Sequence, residues 1–256
     1  MRKTIVLALL LLATAFSLHA EVKKPGVATS VIHFSKNDPG PQGILAMTES
    51  TAKGRPALIL VQEWWGLNDW IKQNAERYAS MGYVVVAPDL YRGKIAADAD
   101  EAHQLMRGMP EDRAMADLQG AFEYLASRPD VDPKRIGVVG WCMGGGYALA
   151  LGIAEPRLAA VVINYGRLVT DPATIAKIKP AVQGNFGATD KGIPVDDVKA
   201  FEKALKTTNG SVDFMIFDGA GHGFMNPNNK TGYAAAAADT AWKRMDAFLA
   251  KNLGKL

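Results

Sequence analysis

Short apolar runs alternate with amphipathic segments along most of the chain. Six runs rich in β-branched residues have the length and continuous hydrophobicity of strands buried on both faces; they are residues 57–61, 83–87, 136–139, 159–163, 181–185 and 212–217. Segments with one apolar stripe at helical spacing follow most of them, at residues 67–80, 113–126, 144–154, 195–206 and 234–253. This alternation predicts an α/β fold with a mostly parallel central sheet and helices on both faces.

Two further short strands are predicted ahead of this series, at residues 31–34 and 44–47 around a Pro-Gly-Pro turn at 39–41. They bring the sheet to about eight strands. Residues 89–112 are polar and irregular, which predicts a long connection over the sheet and a candidate lid. The length of 256 residues favours a single domain over residues 21–256.

The N-terminus has the pattern of a secretory signal peptide. Arg2 and Lys3 precede an uninterrupted apolar run at 5–12, and small residues follow. We expect a signal peptide over residues 1–20, with the boundary between 15 and 22, and an exported protein, periplasmic or secreted. The apolar run is shorter than the about 20 residues of a membrane anchor. An uncleaved anchor and a buried N-terminal helix are the alternatives.

Composition narrows the function classes. The chain is 48% hydrophobic and 21% charged, as in ordinary globular proteins, and its formal net charge is only +3. Without a basic run, neither a nucleic acid nor an anionic membrane is expected as a partner. The sequence has no HExxH motif and no cysteine cluster, so no metal and no cofactor is predicted. A small-molecule substrate is therefore the expected binding partner.

Cys142 is the only cysteine, so no internal disulfide can form. A free cysteine is often a small buried hydrophobe. Here, however, it lies in Gly-Trp-Cys-Met-Gly-Gly at residues 140–145, between a predicted strand and a predicted helix. This is the GxSxG nucleophile elbow with sulfur in place of oxygen, and it predicts the α/β-hydrolase fold.

Glycines suit the sharp turn of such an elbow. The nucleophile adopts strained backbone angles, and Gly140 and Gly144 remove side chains that would collide with the neighbouring strand and helix. Gly145 and Gly146 are expected to let the helix pack closely.

The elbow also predicts an oxyanion hole. Cys142 lies at a helix N-terminus, where the positive end of the helix dipole favours a thiolate. The N–H of Met143 is predicted as one donor to the oxyanion. The second is expected from the loop after the strand at 57–61, with Trp64 as the candidate.

Elimination among four histidines selects a base for Cys142. In this fold the chain order is nucleophile, acid, histidine. His19 lies in the predicted signal peptide, and His33 and His103 precede the cysteine. His222 is therefore the predicted base, and a solvated loop histidine is the alternative.

Several carboxylates lie between nucleophile and histidine. Asp190 follows a predicted strand through a short turn, at the sheet edge where a triad acid belongs. Asp196 and Asp197 fit better as charges in the first turn of a helix. Asp213 opens a strand at the wrong edge, and Asp218 remains the main rival because it is close to the histidine in sequence.

The sequence resembles the dienelactone hydrolase family, also called carboxymethylenebutenolidases. The elbow cysteine is the specific feature, because most α/β-hydrolases have serine there. The resemblance covers nearly the whole chain after the predicted signal peptide. Its motifs are QEWWG at 62–66, APDLYRG at 87–93, GWCMGG at 140–145, GATD at 187–190 and GAGHGF at 219–224.

The resemblance implies a Cys-His-Asp triad of Cys142, His222 and Asp190. It also implies that Glu63 lies close to Cys142 and interacts with the thiol before substrate arrives. A carboxylate there would oppose thiolate formation until substrate displaces it. From the sequence alone, Glu63 is equally well a surface loop residue.

The sequence departs from the family at the arginines that grip the substrate carboxylate. The first is matched by Arg92, one position out of register, and at the second stands Asn226. The sequence therefore predicts a weakened grip on a carboxylate. Tyr91 and Tyr165, with the tryptophans at 64 and 65, are candidates to line an apolar pocket, although core packing is an equal alternative.

Together these features predict hydrolysis of an ester or lactone through an acyl thioester on Cys142. A broad carboxylesterase or thioesterase is the first alternative. The others are a non-catalytic, redox-responsive thiol protein and a binding protein on an inactive hydrolase scaffold.

Overall fold

A computed structural model describes residues 26–34 and 43–254. In chain order its strands are β1 Val27–Ile32, β2 Gly43–Thr48, β3 Arg55–Val61, β4 Val84–Pro88, β5 Val131–Trp141, β6 Ala160–Asn164, β7 Ala181–Gly187 and β8 Val212–Phe217. Its helices are α1 Asp69–Ser80, α2 Ala99–Gly108, α3 Glu111–Ala126, α4 Met143–Ala154, α5 Pro172–Ile175, α6 Val195–Lys206 and α7 Ala235–Leu253.

The strands form one sheet in the order β1-β2-β4-β3-β5-β6-β7-β8. β2 pairs antiparallel with β1 and β4, and the remaining neighbours are parallel. The predicted α/β-hydrolase fold is confirmed. Because β3, β5, β6, β7 and β8 run in one direction, their carboxyl ends lie at one edge of the sheet, where ligands bind in open α/β sheets.

Each face of the sheet carries its own core. Ile59 of β3 faces the core covered by α3, α4 and α6, whereas its neighbours Leu58 and Leu60 face the core covered by α1 and α7. All three side chains are fully buried. Burial on both faces explains why the central strands are continuous apolar runs rather than alternating ones.

The leading pair of strands is confirmed, with β1 four residues earlier at its start than predicted. The predicted turn at 39–41 and the predicted signal peptide at 1–20 lie outside the described residues. Over the described ranges, every helix is too short or too polar to cross a membrane.

The structure corrects the prediction for residues 89–112, because this connection contains helix α2. Asp98 caps the helix by accepting a hydrogen bond from the Glu101 N–H at 2.9 Å. Ala102 is its only buried residue. Its apolar stripe is short, with Leu105 and Met106 only partly buried beside Ala102, and it lies in a mostly polar segment, so the sequence was interpreted as irregular.

Candidate active site

Cys142 sits at the tight turn between β5 and α4. Its φ of 56° and ψ of −121° lie where residues other than glycine are rarely found. Its N–H donates to the carbonyl oxygen of Asn164 at the end of β6, at 3.0 Å. The strained backbone that an elbow requires is therefore present and tied to the neighbouring strand.

The glycines around Cys142 allow close backbone approach. A Cβ on Gly140 would overlap the carbonyl of Gly144, and a Cβ on Gly144 would overlap the carbonyl of Val61. A Cβ on Gly145 would meet backbone at 2.8 Å. The expectation for Gly146 was wrong, since a Cβ there has its nearest neighbour at 3.5 Å, an ordinary contact.

A hydrogen-bonded chain joins three of the predicted site residues. His222 Nε2 lies 3.0 Å from Cys142 Sγ, and His222 Nδ1 lies 2.8 Å from Asp190 Oδ2. The other Asp190 oxygen accepts from the N–H groups of Gly192 and Ile193 at 2.8 and 3.3 Å. The structure thus places Asp190 against the histidine, whereas its rival Asp218 is exposed.

The neighbours of His222 stabilise its protonated form. Burial acts to lower its pKa, but hydrogen bonds to Asp190 and Cys142, together with the charges of these groups, raise the pKa to about 10. Burial likewise acts to raise the pKa of Asp190, yet its hydrogen bonds to His222 and to backbone N–H groups bring that pKa below its ordinary value. The arrangement favours the imidazolium form of His222 beside the Asp190 carboxylate.

Glu63, just after β3, lies at the bottom of the site and is only 4% exposed, so the surface-loop alternative is wrong. Its Oε1 accepts from the Tyr165 hydroxyl at 3.2 Å, and its Oε2 accepts from Asn226 Nδ2 at 2.6 Å. Burial raises the pKa of Glu63 to about 7, although both hydrogen bonds act to lower it. Its bonds thus go to these two partners, whereas the Cys142 thiol contacts His222.

Both predicted tyrosines lie beneath the site rather than on its lining. Tyr165 is fully buried with a φ of 40°, and its ring packs edge-on against His222 with centroids 5.3 Å apart. The Tyr91 hydroxyl donates to Met143 Sδ at 3.3 Å. These rings support the reactive residues from behind.

Arg92 does not reach the site. Its guanidinium forms a two-pronged ion pair with Asp117 at 2.8 and 2.9 Å and also donates to the carbonyl of Asp89 at 3.0 Å. It is not among the residues that line the cleft. The expectation that Arg92 grips a substrate carboxylate is thus at odds with the structure, because its donors face Asp117 within the fold.

A cleft of about 640 Å³ opens over Cys142 and His222. Trp64 and Trp65 contribute aromatic surface, with ring centroids 5.0 Å apart, and the His103 ring of α2 packs on Trp64 at 4.8 Å. Its lining residues are Glu63, Trp64, Trp65, Asn68, Ala96, Cys142, His222, Gly223, Asn226, Asn228, Asn229, Lys230 and Thr231.

Sequence reasoning missed the lining segment at 228–231 and the contact of Asn226 with Glu63. Asn229 holds this segment in place by donating from Nδ2 to the carbonyl of His222 at 3.1 Å. Nearness in sequence to the histidine was the available signal. Among the described residues, no group of three or more His, Cys, Asp and Glu side chains is arranged to hold a metal ion.

Known proteins resemble this chain over most of its length. The dienelactone hydrolase family model matches residues 42–253. A Salmonella typhimurium (strain LT2) protein, provisionally named carboxymethylenebutenolidase, is 32% identical over 214 residues, covering 78% of each chain. A crystal structure from Klebsiella pneumoniae, provisionally named dienelactone hydrolase, has a TM-score of 0.78 and 26% identity, covering 88% of this chain and 99% of that one.

A dienelactone hydrolase-like promiscuous phosphotriesterase from metagenomic libraries shares the fold, with a TM-score of 0.79 at 23% identity over 90% of this chain and 100% of that one. The family match spans most of the chain, and the Salmonella relative exceeds 30% identity over three quarters of it. This chain therefore belongs to the dienelactone hydrolase family and is a hydrolase that acts on ester bonds.

Proposed function

We propose that the protein hydrolyses an ester or lactone through an acyl thioester on Cys142. His222 acts first as general base and then as general acid, and Asp190 orients its ring. One observation carries the proposal: an unbroken hydrogen-bonded chain runs from Sγ through both ring nitrogens to the carboxylate, at the bottom of an open cleft.

Acylation starts from the form in which the thiol proton has already passed to Nε2 of His222, and the sulfur then attacks the substrate carbonyl carbon. The carbonyl oxygen becomes an oxyanion, to which the N–H of Met143, at the first position of α4, donates. The first N–H groups of a helix have no acceptor within that helix, so this donor is available. The N–H of Trp64 is the proposed second donor. Collapse breaks the carbon–oxygen bond, and the departing alkoxide takes the proton from His222.

Deacylation reverses these roles with water as nucleophile. The His222 side chain is 44% exposed, so water can reach Nε2 from the cleft. The ring takes a proton from water, the hydroxide attacks the thioester carbonyl, and the sulfur leaves and regains its proton. A carboxylic acid is released. When the substrate is a lactone, the released acid and alcohol are parts of one hydroxy acid molecule.

The carboxylate of Asp190 fixes the tautomer of His222. Because Nδ1 donates to Oδ2, the neutral ring presents a lone pair at Nε2 toward the sulfur. Two backbone N–H groups hold the other oxygen, so the carboxylate keeps its orientation while the ring charge changes.

One observation favours a broad carboxylesterase or thioesterase over a lactonase that requires a substrate carboxylate. Arg92 is paired with Asp117, and the uncharged Asn226 holds Glu63. The cleft therefore lacks both arginines that would bind a substrate carboxylate: Arg92 points elsewhere, and position 226 is an asparagine. These two positions therefore present no cation to a substrate carboxylate, and Lys230 is the cation that lines the cleft.

A panel of p-nitrophenyl esters, thioesters and enol-lactones tests the proposal, each with and without a carboxylate. We expect turnover that is lost in both Cys142→Ala and His222→Ala. Turnover that survives in Cys142→Ala refutes the proposed mechanism, and a strict requirement for a carboxylate refutes the broad-esterase reading. We also propose export through residues 1–20; a chain that stays in the cytoplasm and still begins at Met1 would contradict it.

A further inference from the structure

We propose that Asn226 is a positioning residue that sets the charge of the buried Glu63 carboxyl and, through it, the reactivity of the Cys142–His222 pair. This inference rests on the proposed function, since it concerns how the same nucleophile is tuned.

The orientation of the Asn226 amide is fixed. The side chain is only 3% exposed, and its Oδ1 accepts from the backbone N–H of Asn228 at 2.9 Å. That bond leaves Nδ2 to face Glu63, to which it donates at 2.6 Å. An amide whose oxygen is held by a backbone donor cannot flip without losing both bonds. Asn226 therefore acts on Glu63 as a neutral donor.

Glu63 has two neutral donors, Asn226 and Tyr165, in a buried position. Neutral donors stabilise a buried carboxylate less than a cation does. In keeping with this, the pKa of Glu63 is raised by burial to about 7 while both hydrogen bonds act to lower it. The Glu63 carboxyl therefore loses its proton near neutral pH. The strength of these two hydrogen bonds determines the pH at which it does so.

The charge of Glu63 reaches the reactive pair. The carboxylate interacts electrostatically with His222, and the Tyr165 ring that binds Glu63 also packs on His222 at 5.3 Å. Cys142 lines the same cleft as Glu63, and the exposed Lys230 is the charged residue of the lining besides Glu63 and His222. Ionised Glu63 attracts the imidazolium and repels the thiolate, so its titration changes the reactivity of the pair.

The single cysteine makes this testable without an ester substrate. The rate of iodoacetamide alkylation, followed by intact mass as a function of pH, reports Cys142 alone. We expect a step near pH 7 in the unaltered protein. Asn226→Ala and Tyr165→Phe each remove one bond to the carboxylate, so each moves the midpoint upward by about one pH unit. Glu63→Gln removes the step.

Asn226→Asp keeps the shape of Asn226 but places a second carboxyl against Glu63, so it moves the midpoint up as well. It serves as the test if Asn226→Ala does not fold. Tyr233→Phe is the matched control: it alters an exposed side chain of the same loop outside the cleft lining and keeps the backbone donor to Asn226, and the midpoint stays in place.

A step that is absent near neutral pH, or that Asn226→Asp and Tyr165→Phe leave unmoved in folded protein, overturns the inference. Ester turnover measured in parallel separates this from failure of the proposed function. An unmoved midpoint with turnover that still depends on Cys142 rejects only the role of Asn226. Turnover that survives Cys142→Ala rejects the nucleophile itself.

Discussion

Asp190 Oδ2 lies 2.8 Å from Nδ1 of His222, although 32 residues separate the two in the chain. Parallel strands β7 and β8 are neighbours, so the turns that follow them meet at one edge of the sheet. The carboxylate is buried and bonded to two backbone N–H groups, whereas the ring is open to the cleft. This asymmetry suits a fixed acid that orients a base able to exchange protons with substrate and water.

Asp190→Asn should lower kcat/KM by about 10³ to 10⁴-fold, because the ring loses both its anionic partner and its preferred tautomer. The pKa of His222 should fall from about 10, since Asp190 is among the groups that raise it. Steady-state kinetics across pH measures both effects. Asp218→Asn is the matched control, and a comparable loss in that variant would contradict the assignment.

The raised pKa of His222 also links folding to pH. A group whose pKa rises from 6.5 to about 10 on folding contributes stability that is full below pH 6.5 and is lost as the pH rises through about 10. His222→Gln should therefore flatten the dependence of unfolding free energy on pH in the alkaline range. Urea unfolding measures it; an unchanged alkaline dependence in the variant would argue against a stabilised imidazolium.

Glu63 should make the protein less stable as the pH rises. Its pKa of about 7 in the fold lies above the ordinary 4.5, so the folded state binds the proton more tightly. The contribution of Glu63 to the unfolding free energy is fully present below pH 4.5. It is lost as the pH rises through about 7, and the loss amounts to about 3 kcal/mol. Urea unfolding of Glu63→Gln should lack this loss. Parallel curves for the variant and the unaltered protein would show that Glu63 does not titrate in this range.

Arg92→Ala should affect stability rather than substrate binding. Its guanidinium is paired with the buried Asp117, and removing one partner of such a pair costs about 3 kcal/mol or more. KM values for matched substrates with and without a carboxylate should keep the same ratio in the variant. A selective rise in KM for the carboxylate substrate would restore Arg92 as a substrate-binding residue.

Two glycines of the elbow offer a paired test. A Cβ on Gly140 meets the backbone of Gly144, so Gly140→Ala should lower the unfolding free energy by about 3 kcal/mol or more, or prevent folding. Gly146→Ala meets only ordinary contacts inside α4 and should stabilise by up to about 1 kcal/mol. Thermal unfolding compares them, and equal effects would contradict the close approach at Gly140.

The sequence predicted the strands and most helices because their apolar surface is extensive. Chain order and strand ends were enough to single out His222 and Asp190, which the structure places beside Cys142. Helix α2 was missed because its apolar stripe is short and lies in a mostly polar segment.

The sequence could not show which polar partner a side chain binds in the folded protein. Arg92 faces Asp117, 25 residues away, and Asn226 faces Glu63, 163 residues away. Such pairs depend on how distant loops meet at the sheet edge, and no local pattern encodes them.

The most direct test of the account is the intact mass of the protein after brief exposure to an activated ester or a slowly hydrolysed lactone, quenched in acid. We expect one added acyl group per chain, located on Cys142, that disappears with time and is absent in Cys142→Ala. Turnover of the same substrate with no adduct on Cys142, or an adduct that persists in Cys142→Ala, would contradict it.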